Sequence, residues 1–253
     1  MIETGYAQVL AAVLLAVLAI VLAKIKSIPV EKEIAFGTVR SFVQLVAVGY
    51  ALEFIFSSRS FWLVMLSVGV MIMVGAHTAA NRARHFRGGF IIAFVSMTAA
   101  SLVTLGVMLA LDIIRTEARY IIPLAGMIIS NSMNASAVTF DRIGSDLKSN
   151  RLAVETALAL GKTWRQASMR FYRDAVRAGM ISILNFMKTV GIVALPGAMT
   201  GMILAGASPL EAVLIQVVVA YMLISAVTIA SIIAGEMAVR RFFNAAEQFV
   251  AER

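Results

Sequence analysis

Arg40 and Gln44 stand four residues apart in one apolar run, and Asn131 and Asn134 stand three apart around Met133 in another. Asn185 and Lys188 make a third pair. At such spacings each pair shares one face of a helix. Charged and amide groups among aliphatic side chains either bond a neighbouring helix or mark a path for a polar solute. Arg40 and Lys188 also have stems long enough to snorkel toward a membrane surface. Met127, Met133, Met187, Met199 and Met202 lie near these polar segments. Their thioethers suit soft cations and equally serve as gap-fillers in a core. A further feature belongs to the backbone. Pro196 and Gly197, followed by Thr200 and Gly201, interrupt the apolar run 179–205. Broken helices free carbonyls that can coordinate ions, and glycines four apart permit close helix approach.

Other chemistry finds little support. The chain has no cysteine, which rules out disulfides and thiolate metal sites. Its histidines, His77 and His85, lie near Arg82, Arg84 and Arg87, a poor setting for a cation. No metal ligand set emerges. There is no H-E-x-x-H, no nucleophile elbow and no carboxylate pair inside an apolar run, so an intramembrane enzyme is not expected. Gly161-Lys162-Thr163 imitates the end of a phosphate-binding loop. Position 156 holds Thr156 rather than the required glycine, and the preceding segment reads as a helix rather than a strand. No cofactor is therefore expected on this chain.

A different kind of site is legible around Gly161. Residues 150–160 read as a short helix, with Ser149 or Asn150 at its start and Gly161 at its end. Thr163 then opens a second helix, with Gln166 at capping-box spacing. Leu152, Leu158, Leu160 and Trp164 add apolar surface to an otherwise charged segment. A helix–glycine–helix elbow of this kind suits a groove on a partner protein.

The elements that carry these residues are membrane spans. Sixty per cent of the 253 residues are hydrophobic and 14% are charged, against about 25% charged in a soluble domain. Apolar runs long enough for a bilayer core recur throughout. In lipid only helices or closed barrels satisfy the backbone, and the unbroken runs lack the alternation of barrel strands. The expected fold is an all-α polytopic bundle of about seven transmembrane helices, near 6–22, 34–56, 61–78, 90–111, 120–138, 179–205 and 210–233. The sixth of these is broken. The whole chain, 1–253, forms a single permease domain in this reading, with 139–178 a cytoplasmic loop. The acidic start, Met1 to Glu3, does not look like a cleavable leader.

Basic residues set the orientation. They crowd the loops after the first, third, fifth and seventh spans, whereas the other side carries only Arg59, Arg115 and Arg119. The N-terminus is thus expected outside and the C-terminus in the cytoplasm. The net charge of +8 is explained by this pattern, and no nucleic-acid partner is expected.

Two resemblances follow. Glu155-Thr156-Ala157 with Gly161 resembles the EAA-x3-G coupling motif of ATP-binding-cassette (ABC) importer permeases, with Thr156 where that motif has its first alanine. Three longer stretches resemble the FetB-type permease family, which includes bacterial iron-export permeases and plant aluminium-tolerance membrane subunits. They are TVRSFVQLVAVGYALEFIF from Thr38, PLAGMIISNSMNASA from Pro123 and GIVALPGAMTGMILAGASPLEAVLIQ from Gly191. The resemblance implies a homodimeric subunit of the inner (plasma) membrane. It works with a separate ABC ATPase, which would hold the ATP and Mg and dock through Glu155, Ala157, Leu158, Gly161 and Trp164. It also implies metal export, with iron the leading candidate. The substrate path is expected at Arg40, Gln44, Asn131, Met133, Asn134, Pro196, Gly197, Thr200 and Gly201. The alternatives are an ABC permease for an organic or sugar-nucleotide substrate, and a secondary transporter that needs no ATPase. The latter calls for an ionisable relay in mid-membrane, which the spans lack.

Overall fold

The computed structural model describes residues 6–58, 60–83 and 88–250. Residues 1–3, Arg59, Arg84, His85, Arg87 and Arg253, used above for leader and charge arguments, lie outside the described residues. All regular elements among those described are helical. Among the described residues five helices are long and apolar enough to cross a membrane. The chain packs as two compact units, 1–60 and 61–253.

The first unit holds α1 (Tyr6–Ile25) and α2 (Glu31–Ser58). A tight turn joins them, with Ser27 in the left-handed region (φ 54°) and the Ile28 amide donating to the Ala23 carbonyl at 2.9 Å. Glu31 and Glu33 occupy the first turn of α2, where the helix dipole favours negative charge. No residue of α2 is buried.

The second unit is built on α5 (Ala118–Ser149) and α9 (Pro209–Arg240), around which α3 (Phe61–Ala80), α4 (Gly89–Ala110) and α7 (Trp164–Thr189) pack. Small residues make this packing close. Ala226, Ala230, Ser231, Ala234, Gly235 and Ala238 form the buried stripe of α9, and Ala125, Ser132, Ala135, Ser136 and Thr139 that of α5. Without a hydrophobic drive between helices in lipid, such stripes allow backbones to approach and dispersion contacts to accumulate. Gly179 does the same for α7. A Cβ there would meet Thr139 Oγ1 and lie 2.7 Å from the Ala135 carbonyl oxygen.

Two boundaries differ from the sequence expectation. The segment 139–178, expected as a cytoplasmic loop that carries two helices, begins inside α5. Thr139, Phe140, Ile143, Gly144 and Leu147 are all buried, at helical spacing, so α5 continues straight through the expected boundary of the span. The short α6 (Arg151–Ala159) follows, and α7 then runs without a break across position 179. The expected sixth span is also divided differently. Helix ends at Thr189, residues 190–196 are non-helical, and α8 (Gly197–Leu204) begins with Pro196 as its N-cap. Gly191 adopts φ +81°, a conformation costly for other residues. The residue before Pro196 is disfavoured in the helical region. Together these open the chain before the proline rather than at it. Serving as cap to α9, Ser208 accepts from the Glu211 amide, and Glu211 reciprocates as a capping box.

Candidate functional site: a cavity on α5 and a capped elbow

The first site lies where α3, α5, α7 and α9 meet. Asn131, Met133 and Asn134 of α5 line a cavity of about 320 Å³, together with Thr78, Arg82, Gly179 and Ser182. Helical spacing puts Asn131 and Asn134 on one face, and the small Ala135 and Gly179 leave room beside them. The Asn131 side chain donates to the Met127 carbonyl at 2.8 Å, and the Thr78 hydroxyl donates to the Val74 carbonyl at 2.8 Å. Both groups are thereby oriented by their own helices. The described lining carries hydroxyls, amides, one thioether and one guanidinium, but no carboxylate. No group of three or more His, Asp or Glu that could hold a metal occurs among the described residues.

Asn131, Met133 and Asn134 are the members of the expected path that line this cavity. Arg40 and Gln44 are exposed on α2 of the first unit. Pro196, Gly197, Thr200 and Gly201 lie at the break and on α8, where Thr200 donates to the Pro196 carbonyl at 3.1 Å. Among the described residues neither Gly197 nor Gly201 has a neighbour within 4 Å of the place a Cβ would take, so their spacing makes no close helix contact there. Of the five methionines singled out, Met133 alone lines the cavity. Arg82, Thr78, Gly179 and Ser182 join the lining from outside α5. Ala175 and Gly179, both buried and four apart, held the available signal, a small-residue face on an otherwise cationic helix.

The second site is the elbow between α6 and α7. Gly161 has φ +83°. Its amide donates to the Leu158 carbonyl at 2.9 Å, and the Lys162 amide donates to the Ala157 carbonyl at 3.1 Å. This is the paired Schellman closure of a helix. Thr163 accepts from the Gln166 amide, and the Thr163 amide donates to the Gln166 side chain at 3.1 Å, so the capping box is complete. The other cap differs from expectation. Asn150 occupies the N-cap of α6, but its side chain donates back to the Asp146 carbonyl at 2.8 Å. It is also the C-cap of α5, and with two helices abutting there the amide serves the first one's orphan carbonyls.

The elbow's side chains divide into two groups. Val154 is fully buried, and Leu158 and Trp164 pack against the core. Leu152 and Leu160 are 79% and 77% exposed. Glu155 forms an i,i+4 ion pair with Arg151 at 2.7 Å, and Ala157 is half-buried. Space beside Gly161 is open. Trp164 is half-buried and packs within the chain. Its ring lies 5.8 Å from that of Phe243, with Arg165 and Arg240 at 5.2 and 5.0 Å from its centroid. Nearby, burial and then the Glu236 carboxylate raise the Tyr172 phenol above its ordinary pKa. The segment before Gly161 is α6, not the strand a phosphate-binding loop requires.

Comparison with known proteins yields a single picture. Residues 6–243 match the family described as "Uncharacterised protein family (UPF0014)". The chain is 40% identical to the UPF0014 membrane protein STAR2 of Oryza sativa, an alignment covering 96% of this chain and 86% of that protein. It is 38% identical to protein ALUMINUM SENSITIVE 3 of Arabidopsis thaliana, covering 96% and 89%. It is 35% identical to the probable iron export permease protein FetB of Escherichia coli, covering 94% and 92%. No solved structure matches it.

Proposed function

We propose that this chain, which belongs to the UPF0014 family of membrane proteins, is the multi-pass permease subunit of an ABC transporter and not itself an enzyme. It resides in the inner membrane as a homodimer, N-terminus outside. A separate ATPase docks on the α6–Gly161–α7 elbow and drives alternating access of the α5 cavity. One observation carries this reading: a doubly capped elbow that leaves Leu152 and Leu160 in the open beside an unobstructed glycine. Docking would cover both leucines and fill the gap beside Gly161.

The substrate in this reading is a metal cation such as iron, moved outward. The support is the likeness to the probable iron export permease of Escherichia coli. Asn131, Asn134, Met133 and backbone carbonyls would coordinate it in passing. Weak neutral donors suit a carrier, which must release what it binds. Deleting the gene should raise cellular iron and sensitivity to the metal, measured by elemental analysis of washed cells. A second reading is favoured by Arg82, the only charged side chain in the described lining. A guanidinium beside two amides suits an anionic organic solute such as a sugar nucleotide. Unchanged metal content with export of such a solute lost would establish it and displace the cation.

A further inference from the structure

Beyond α9 the chain reverses and comes back to the elbow. The Asn244 amide donates to the Gln248 carbonyl at 3.0 Å, and the Val250 amide donates to the Phe242 carbonyl at 2.8 Å. Phe249 closes the turn against Phe242 and Phe243, with ring centroids 6.0 and 5.7 Å away. Two bonds then tie this end of the molecule to the start of α7. The Trp164 amide donates to Glu247 Oε2 at 3.1 Å, and Arg165 pairs with Glu236 of α9 at 2.9 Å. A carboxylate at a helix N-terminus is favourable both as an acceptor and through the helix dipole. Glu247 holds φ +58° to reach it, which few residues of its kind adopt.

The groove on the elbow has two sides. Its volume is about 590 Å³, and Glu155, Leu158 and Gly161 on one side face Ala246, Gln248 and Phe249 on the other. Anything that reaches Gly161 from this groove also touches the turn. We propose that the C-terminal turn, residues 241–250, is the second wall of the docking site as well as the clasp that holds the elbow. The occupant is the transporter's ATPase subunit, so this rests on the permease reading above. Continuity with the exposed elbow face argues for that partner. The lining says what it offers: Glu155, Lys162 and Glu247 stand beside Leu158 and Phe249, so the matching surface of the ATPase presents charged groups around an apolar one.

The chain has no cysteine, so single introduced thiols report without background. Ala246→Cys on the turn and Leu160→Cys on the elbow, both exposed, are labelled with a maleimide in membranes with and without the co-expressed ATPase. Thr116→Cys is the control at the opposite end of α5, about 48 Å away along a helix of 32 residues. The ATPase should abolish labelling at Leu160→Cys and Ala246→Cys and leave Thr116→Cys unchanged. Protection at Leu160→Cys with full labelling at Ala246→Cys would overturn the role of the turn while leaving the permease reading standing. Labelling at both would sink the two together. Independently, Glu247→Lys should lose ATPase on co-purification at an undiminished membrane level, and full recovery of ATPase would refute the clasp.

Discussion

Gly179 shows how a single hydrogen atom shapes the cavity. Its missing side chain lets α7 approach within reach of the Ala135 carbonyl and Thr139. A methyl there meets backbone, which cannot step aside. Gly179→Ala should therefore cost about 1–3 kcal/mol, the usual penalty for overpacking, and lower the melting temperature of the purified protein in detergent. Gly201→Ala, with nothing within 4 Å, should leave it unchanged. Equal effects at the two sites would contradict the packing described. Residue-level signals of local chemistry were legible. Thr163 with Gln166 three residues on, and Gly161 after a run of leucine and alanine, each formed the cap their types favour. Asn150 misled because an Asn between two abutting helices can serve either one, and only the tertiary path decides.

Helices proved easier to find than to bound. Apolar runs located α3, α4, α5 and α9, since lipid demands length and hydropathy together. The continuation of α5 beyond position 138 was hidden because polar residues dominate there, and average hydropathy drowns the buried stripe of Phe140, Ile143 and Leu147. The stripe has a measurable consequence. Phe140 is fully buried, whereas Leu152, twelve residues later, is 79% exposed. Phe140→Ala should destabilise the detergent-solubilised protein by about 3–5 kcal/mol, and Leu152→Ala should leave stability within about 0.5 kcal/mol of the parent. A thermal unfolding series decides between them. A small effect at Phe140 would return the segment to the status of a surface loop.

At the scale of the molecule, the family and the helical class could be read from the chain, while the meeting of its polar residues could not. Asn131, Met133 and Asn134 share a helix, so their joint appearance at one cavity needed only periodicity. Arg82, Thr78 and Ser182 arrive from other helices, and no spacing along the chain announces that. The C-terminal turn escaped for the same reason: Phe242, Phe243 and Phe249 gather there, and Trp164, some eighty residues earlier, meets Phe243 only through the fold. α7 carries Trp164 at one end and Gly179 and Ser182 further on, so in the proposed reading a partner that moves the elbow would also move the cavity wall.

The measurement that bears most directly on this account is the amount of ATPase recovered with the affinity-purified permease carrying Gly161→Trp, set beside Gly161→Asn. Asparagine tolerates the left-handed backbone at this position and adds little bulk, so it controls for strain at φ +83°. Tryptophan fills the open space that the ATPase should enter. At an overpacking cost of about 1–3 kcal/mol, recovery with Gly161→Trp should fall by roughly tenfold or more, with the permease level in the membrane unchanged and Gly161→Asn close to the parent. Full recovery of ATPase with a well-expressed Gly161→Trp variant would contradict docking at the elbow.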